Sequence, residues 1–128
     1  MNKVLAGIPL LSENITVLSS AKEYASALIR LIENAQSRIY ITALYLQNDD
    51  AGQQILNALH QAKQKNPKIE IKVFVDFHRA QRGLIGDKSG KGNRDFYLEF
   101  ASKYSESIGI YGVPVKRKEL MGVWHFKG

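Results

Sequence analysis

The stretch RIYITALYLQ (Arg38–Gln47) decides the fold. Ile39 and Ile41 alternate with Tyr40 and Thr42, and Leu44 and Leu46 with Ala43 and Tyr45, so both faces of an extended chain carry apolar side chains. That pattern suits a strand covered on both sides, as in a parallel sheet. Working outward, the segment on either side should be helical if the sheet is parallel. Upstream, Ser20 with Glu23 three residues on forms a capping box. Behind it Ala21, Ala25, Leu28, Ile32 and Ala35 recur at helical spacing, with Tyr24 and Leu31 beside them, which predicts a helix over 20–36. Downstream, Asp50 with Gln53 imitates a second box, and Ile55, Leu56, Leu59 and Ala62 make the apolar stripe of the next helix. Lys63 and Lys65 suit its last turn, and Pro67 lies beyond.

The same alternation recurs further along. Ile69, Ile71, Val73 and Val75 share one face of a strand, with Phe74 on the other. The stretch from Asp76 to Asn93 loses hydrophobic period and reads as a long loop, punctuated by Gly83, Gly86, Ser89, Gly90 and Gly92. Asn93 is placed to cap a helix whose core face is Phe96, Tyr97, Phe100 and Tyr104. Further strands are expected over 107–115, broken at Pro114, and over 123–127. The β-branched run Asn14–Leu18 reads as a strand before the first helix, which leaves 1–13 as an N-terminal arm. Strands alternating with helices, with no linker and no repeat, give an α/β class: one sheet with helices packed on it over 14–128.

The 128 residues are one domain's worth of length, and 45% hydrophobic with 23% charged residues excludes a disordered chain. The absence of cysteine excludes a disulfide scaffold, a thiolate metal site and a cysteine nucleophile. No apolar run approaches the ~20 residues of a membrane span. Lys3 ahead of a short apolar stretch imitates a signal peptide, but Pro9 interrupts it and no small-residue cleavage site follows. Eighteen basic against twelve acidic residues give a net charge of +6, which favours anionic partners. The excess is concentrated late. Residues 76–128 carry 10 basic and 6 acidic side chains, against 8 and 6 in residues 1–75.

In α/β sheets ligands gather at the carboxyl ends of strands. Three groups of residues fall there: Asn48, Asp49 and Asp50; then Asp76, His78, Arg79, Gln81 and Arg82; and finally His125 with Lys127. Asp49 and Asp50 read as a helix cap and a first-turn acid. Neither His60 nor His78 has a ligand at a metal spacing, so no metal is expected. Arg79 and Arg82 are either solvated loop residues or a phosphate clamp, since an arginine fork matches phosphate oxygens. The neighbouring Leu84 and Ile85 suit burial or a membrane-facing edge. His125 and Lys127, two apart on a strand, share a face, while Trp124 and Phe126 face the other way. An imidazole beside an ammonium is equipped to attack a phosphate and neutralise its developing charge. The plainer reading of H-x-K is a solvent-facing pair. The six tyrosines do not form the interleaved basic-aromatic surface of a nucleic-acid binder, so no specific nucleic acid is expected.

Taken together, ALYLQNDD (Ala43–Asp50), VDFHRAQRGLIG (Val75–Gly86), YGVPV (Tyr111–Val115) and GVWHFKG (Gly122–Gly128) resemble the phospholipase D superfamily, in its bacterial phosphatidylserine synthase branch. The resemblance covers roughly residues 15–128. It implies a phospholipase D-like sheet and an active site built from two H-x-K-x4-D motifs. His125 and Lys127 match the first two positions of one motif. Its Asp and the whole second motif are not in this sequence, which implies the amino-terminal part of a longer enzyme whose carboxy-terminal half supplies the second motif. The implied reaction transfers the phosphatidyl group of CDP-diacylglycerol to L-serine through a phosphatidyl-histidine, with no cofactor. Either histidine of the pair could be the one that attacks. Asp76, Arg79, Gln81 and Arg82 are the expected substrate-binding residues. The resemblance further implies a cytoplasmic enzyme held peripherally on the anionic inner membrane, and the basic surface agrees with that. Another enzyme of the superfamily, a cardiolipin synthase, phosphodiesterase or nuclease, and a non-catalytic anion-binding module stay open as alternatives. A terminal strand ending at Lys127 with an unpaired edge predicts self-association of this chain on its own.

Overall fold

The computed structural model describes residues 7–80, 94–104 and 106–114, and of His78 and Arg79 only the main chain. Helix α1 spans Ala21–Asn34 and leads into strand β1, Arg38–Ala43. Helix α2, Asp50–Lys65, and strand β2, Glu70–Asp76, follow. Then come a single helical turn α3, Phe77–Ala80, helix α4, Arg94–Tyr104, and strand β3, Gly109–Val113. The strands pair in the order β1-β2-β3, all parallel. The α/β class expected from the sequence is what the chain adopts.

The helix starts follow from their caps. The Glu23 N–H donates to the Ser20 hydroxyl (3.1 Å), closing one half of the expected box. The other half differs: the Glu23 carboxylate accepts from the Ser19 N–H (2.7 Å) and hydroxyl (2.8 Å), and those two bonds hold its pKa below the usual range. At α2 the cap is Asp49, not Asp50. The Gly52 N–H donates to Asp49 Oδ1 (2.8 Å), and Asp50 is a first-turn acid suited to the helix dipole. Gly52 has a further reason to be glycine. A Cβ there would lie 2.0 Å from the Gln47 carbonyl oxygen, so the loop after β1 folds back onto α2 only because that atom is missing.

Register explains the core. Ile39 pairs with Ile71 and Ile41 with Val73, and these side chains are buried on one sheet face against Ile32 of α1, Leu56 and Leu59 of α2 and Phe100 of α4. Truncating a fully buried leucine such as Leu59 costs about 2–5 kcal/mol. The opposite face is a correction to the expectation of a sheet covered on both sides. Tyr40 and Tyr111 are each about half exposed there (48% and 46%), with Lys72 between them and Phe74 stacked on Tyr111 (ring centroids 5.4 Å apart). An alternation of large aromatic and aliphatic residues looks the same in sequence whether the aromatic side is covered or open.

The strand expected over Asn14–Leu18 is also corrected. Ser12–Asn14 is one 3-10 turn, and the residues after it are extended but belong to no ladder. Val17 is 84% exposed. β-branched residues favour extended backbone, but a strand needs a neighbour and burial, and among the described residues this run has neither. The loop expected from Asp76 begins later, because Asp76 closes β2 and residues 77–80 turn helically. The expected cap at Asn93, the strand over 123–127 and the self-association assigned to its edge lie outside the described residues.

Candidate functional site at the carboxyl ends of the strands

The three strands run parallel, so all their carboxyl ends lie on one side of the sheet. Three features meet there. The first is the turn after β1. The Asp76 N–H donates to the Leu44 carbonyl (3.2 Å), and beyond that point β1 leaves the sheet. Tyr97 of α4 then takes hold of the turn. The Leu46 N–H donates to its hydroxyl oxygen (2.6 Å), and the hydroxyl donates to the Leu46 carbonyl (3.0 Å). Burial pushes the Tyr97 pKa up to about 12. One side chain therefore satisfies both main-chain groups of a buried loop residue and ties that loop to α4.

The second feature is Asp76, a substrate-binding residue in the sequence reading. It is only 4% exposed, the one charged residue buried among the described residues. The third is a groove of about 530 Å³ between α3, α4 and β3. Phe77, Ala80, Leu98, Ala101 and Ile110 line it, with Arg94 at the start of α4. Gly112 fits the ring of Phe77 against β3, because a Cβ there would sit 2.8 Å from Phe77 Cδ2.

Of the sequence-derived residues, Asp76 is placed here with the main chain of Arg79, which belongs to α3. The Arg79 side chain, Gln81, Arg82, His125 and Lys127 lie outside the described residues. Asn48, Asp49 and Asp50 resolve into capping: Asn48 Oδ1 accepts from Gln53 Nε2 (2.8 Å) beside the Asp49 cap. His60 packs on Tyr104, with ring centroids 4.6 Å apart, as part of the α2–α4 contact. Among the described residues no three His, Cys, Asp or Glu side chains cluster to hold a metal. Sequence reasoning missed the groove. Its signal was present: Arg94, Leu98 and Ala101 stand four and three apart, a second stripe beside the core face of α4.

No protein-family model matches the chain. It is 43% identical over 124 residues, 94% of its length, to a CDP-diacylglycerol–serine O-phosphatidyltransferase of Haemophilus influenzae. To the enzyme of that name from Escherichia coli it is 40% identical over 128 residues, 97% of its length. A solved phosphatidylserine synthase from Haemophilus influenzae superposes with a TM-score of 0.79 at 42% identity over 94% of the chain. A CDP-diacylglycerol–glycerol-3-phosphate 3-phosphatidyltransferase of Schizosaccharomyces pombe is 27% identical over 104 residues, 80% of this chain and 20% of that protein. The chain spans little more than a quarter of the length of the two bacterial relatives, 27% and 28%. The resemblance read from the sequence therefore holds over nearly the whole chain, in residues and in fold.

Proposed function

We propose that this chain is part of a phosphatidyltransferase that moves the phosphatidyl group of CDP-diacylglycerol to serine, releasing CMP and forming phosphatidylserine. The observation that carries the reading is the 43% identity and the 0.79 TM-score extending over 94% of the chain, to proteins named for this reaction. His125 Nε2 attacks the phosphorus that bears diacylglycerol. The bond from that phosphorus to the CMP oxygen breaks, and CMP leaves with a proton from a second histidine, supplied by the remainder of the enzyme. The serine hydroxyl then gives its proton to that histidine and attacks the phosphatidyl-histidine, restoring His125. Lys127, two residues along, neutralises charge on the phosphoryl oxygens during both displacements.

Asp76, Arg79, Gln81 and Arg82 serve the substrate in this reading. Asp76 closes β2 and the other three follow it in sequence, and the arginines suit the pyrophosphate of the donor. Among the described residues no helix is long and apolar enough to cross a membrane. The enzyme meets its lipid from the cytoplasmic side of the inner membrane, drawn by the basic excess to an anionic surface.

The test is CMP release by the complete polypeptide on CDP-diacylglycerol vesicles, with serine or glycerol 3-phosphate as acceptor. Release that depends on serine and yields phosphatidylserine supports the reading. Release that depends on glycerol 3-phosphate would move this chain to the other acceptor class, and no release with either would remove the reaction.

A further inference from the structure

We propose that the groove between α3, α4 and β3 holds an acyl chain of the diacylglycerol part of the donor lipid. The inference rests on the phosphatidyl-transfer reading and adds to it a ligand and a place. At about 530 Å³ the cavity falls within the size range of ligand sites, ~300–1,000 Å³. Its walls are mostly hydrocarbon: the ring of Phe77, the methyls of Ala80 and Ala101, and the branched chains of Leu98 and Ile110, with Tyr97 and Gly112 beside them. Arg94 is the one charged residue among the described lining residues. An apolar trough with a single cation matches a hydrocarbon tail joined to a phosphate. Taking methylenes out of water favours a tail there, and a guanidinium suits the phosphate oxygens.

Position supports the same occupant. The groove opens beside the carboxyl end of β2, next to Asp76, where the turn into α3 begins. A tail lying there places its headgroup at the strand ends. The relatives narrow the choice between donor and acceptor. Matches to this chain include enzymes named for serine and for glycerol 3-phosphate as acceptors, and all are named for CDP-diacylglycerol as donor. A region common to both classes is expected to serve the part of the reaction they share. The groove's outer residues are open to an incoming ligand: Leu98 is 55% exposed, away from the core face that Phe100 fills.

The test uses the complete polypeptide with vesicles containing phosphatidic acid that bears a diazirine near the end of one acyl chain. After irradiation, the label should fall on the peptide containing Arg94–Lys103, and Ala101→Trp should reduce that labelling at least several-fold. Label confined to other peptides, or undiminished by Ala101→Trp, overturns the proposal. Ala101 is exposed, so the bulkier ring can be added without entering the core. Leu98→Gln, at another exposed position of the groove, should reduce the labelling as well and checks that the loss is not one of folding. Kinetics give a second arm. Ala101→Trp should raise KM about tenfold for a long-chain donor while leaving KM for serine and for a dibutyryl donor unchanged. Equal loss with both donors, or none, contradicts an acyl site and favours a polypeptide cover for the groove. Absence of CMP release in the unsubstituted enzyme would remove the transfer reaction, and the labelling pattern would still decide the groove.

Discussion

The two ends of the parallel sheet are built differently. The amino end is sewn shut by two side chains and one main-chain N–H bonded to main-chain carbonyls. Asn66 Nδ2 donates to the Gln36 carbonyl (2.8 Å), Lys63 Nζ donates to the Ile69 carbonyl (2.6 Å), and the Glu70 N–H donates to the Ser37 carbonyl (3.1 Å). On the open face there, Tyr40 donates to Glu70, which also pairs with Lys72 at 2.5 Å. Lys72 and Tyr40 hold the Glu70 carboxyl below its usual range, while the bond to Glu70 raises Tyr40. The carboxyl end, among the described residues, is bonded around its turns, by Tyr97 to Leu46, by Asp49 to Gly52 and by the Asp76 N–H to the Leu44 carbonyl, and beside them it carries the buried Asp76 and an apolar groove left open. The contrast teaches that hydrogen bonds order both ends, while the groove found among the described residues lies at the end where ligands of α/β sheets gather.

The comparison breaks if substitutions at the two ends have similar effects on turnover. The largest effect belongs to the proposed nucleophile. In the complete enzyme His125→Ala should lower kcat by about a thousandfold or more, because the covalent route is lost. Lys127→Ala should cost about 10²–10³ in kcat through lost oxyanion stabilisation. Steady-state CMP release measures both. Near-normal turnover in His125→Ala would take that strand out of the active site.

Tyr97→Phe comes next. It removes the Tyr97 hydroxyl's two bonds to the Leu46 main chain, at a cost of about 1–3 kcal/mol in denaturant unfolding. Its pH dependence is specific. The folded pKa is raised to about 12 from the ordinary 10.0, so the protonated phenol's contribution is full below 10 and is lost as pH rises through 12. The unsubstituted protein should lose stability across that window, and Tyr97→Phe should lose less. Equal alkaline slopes in the two proteins would show that Tyr97 does not anchor the turn.

At the amino end, Asn66→Ala should lower stability by about 0.5–1.5 kcal/mol and leave kcat and KM unchanged. A changed kcat there would erase the distinction between the ends. The smallest effect is Tyr40→Phe. It removes an exposed hydroxyl–carboxylate bond, and should leave the denaturant midpoint essentially where it is in the unsubstituted protein.

Much of this was legible in the sequence because the deciding patterns are local. Ser20 with Glu23 starts α1, the stripe Leu56–Leu59 faces the core, and Ile71, Val73 and Val75 give β2 its buried side. What failed depended on neighbours. Nothing in the composition of Asn14–Leu18 says that no strand will lie beside it. Nothing in Tyr40 and Tyr111 says which face of the sheet the helices take. At the site, Asp76 was legible as the residue at a strand end. The groove was not, because its residues come from α3, α4 and β3 and meet only in the folded chain. Leu98 and Ala101 were overshadowed by the stronger aromatic stripe on the same helix.

The most direct measurement is capture of the covalent intermediate. The complete enzyme is mixed with CDP-diacylglycerol in the absence of serine, quenched, digested and examined by mass spectrometry. The account predicts a phosphatidyl group on the peptide that contains His125, absent from His125→Ala and discharged when serine is added before the quench. Rapid CMP release and phosphatidylserine formation with no phosphatidyl-peptide, or with the group on a different histidine, would contradict it.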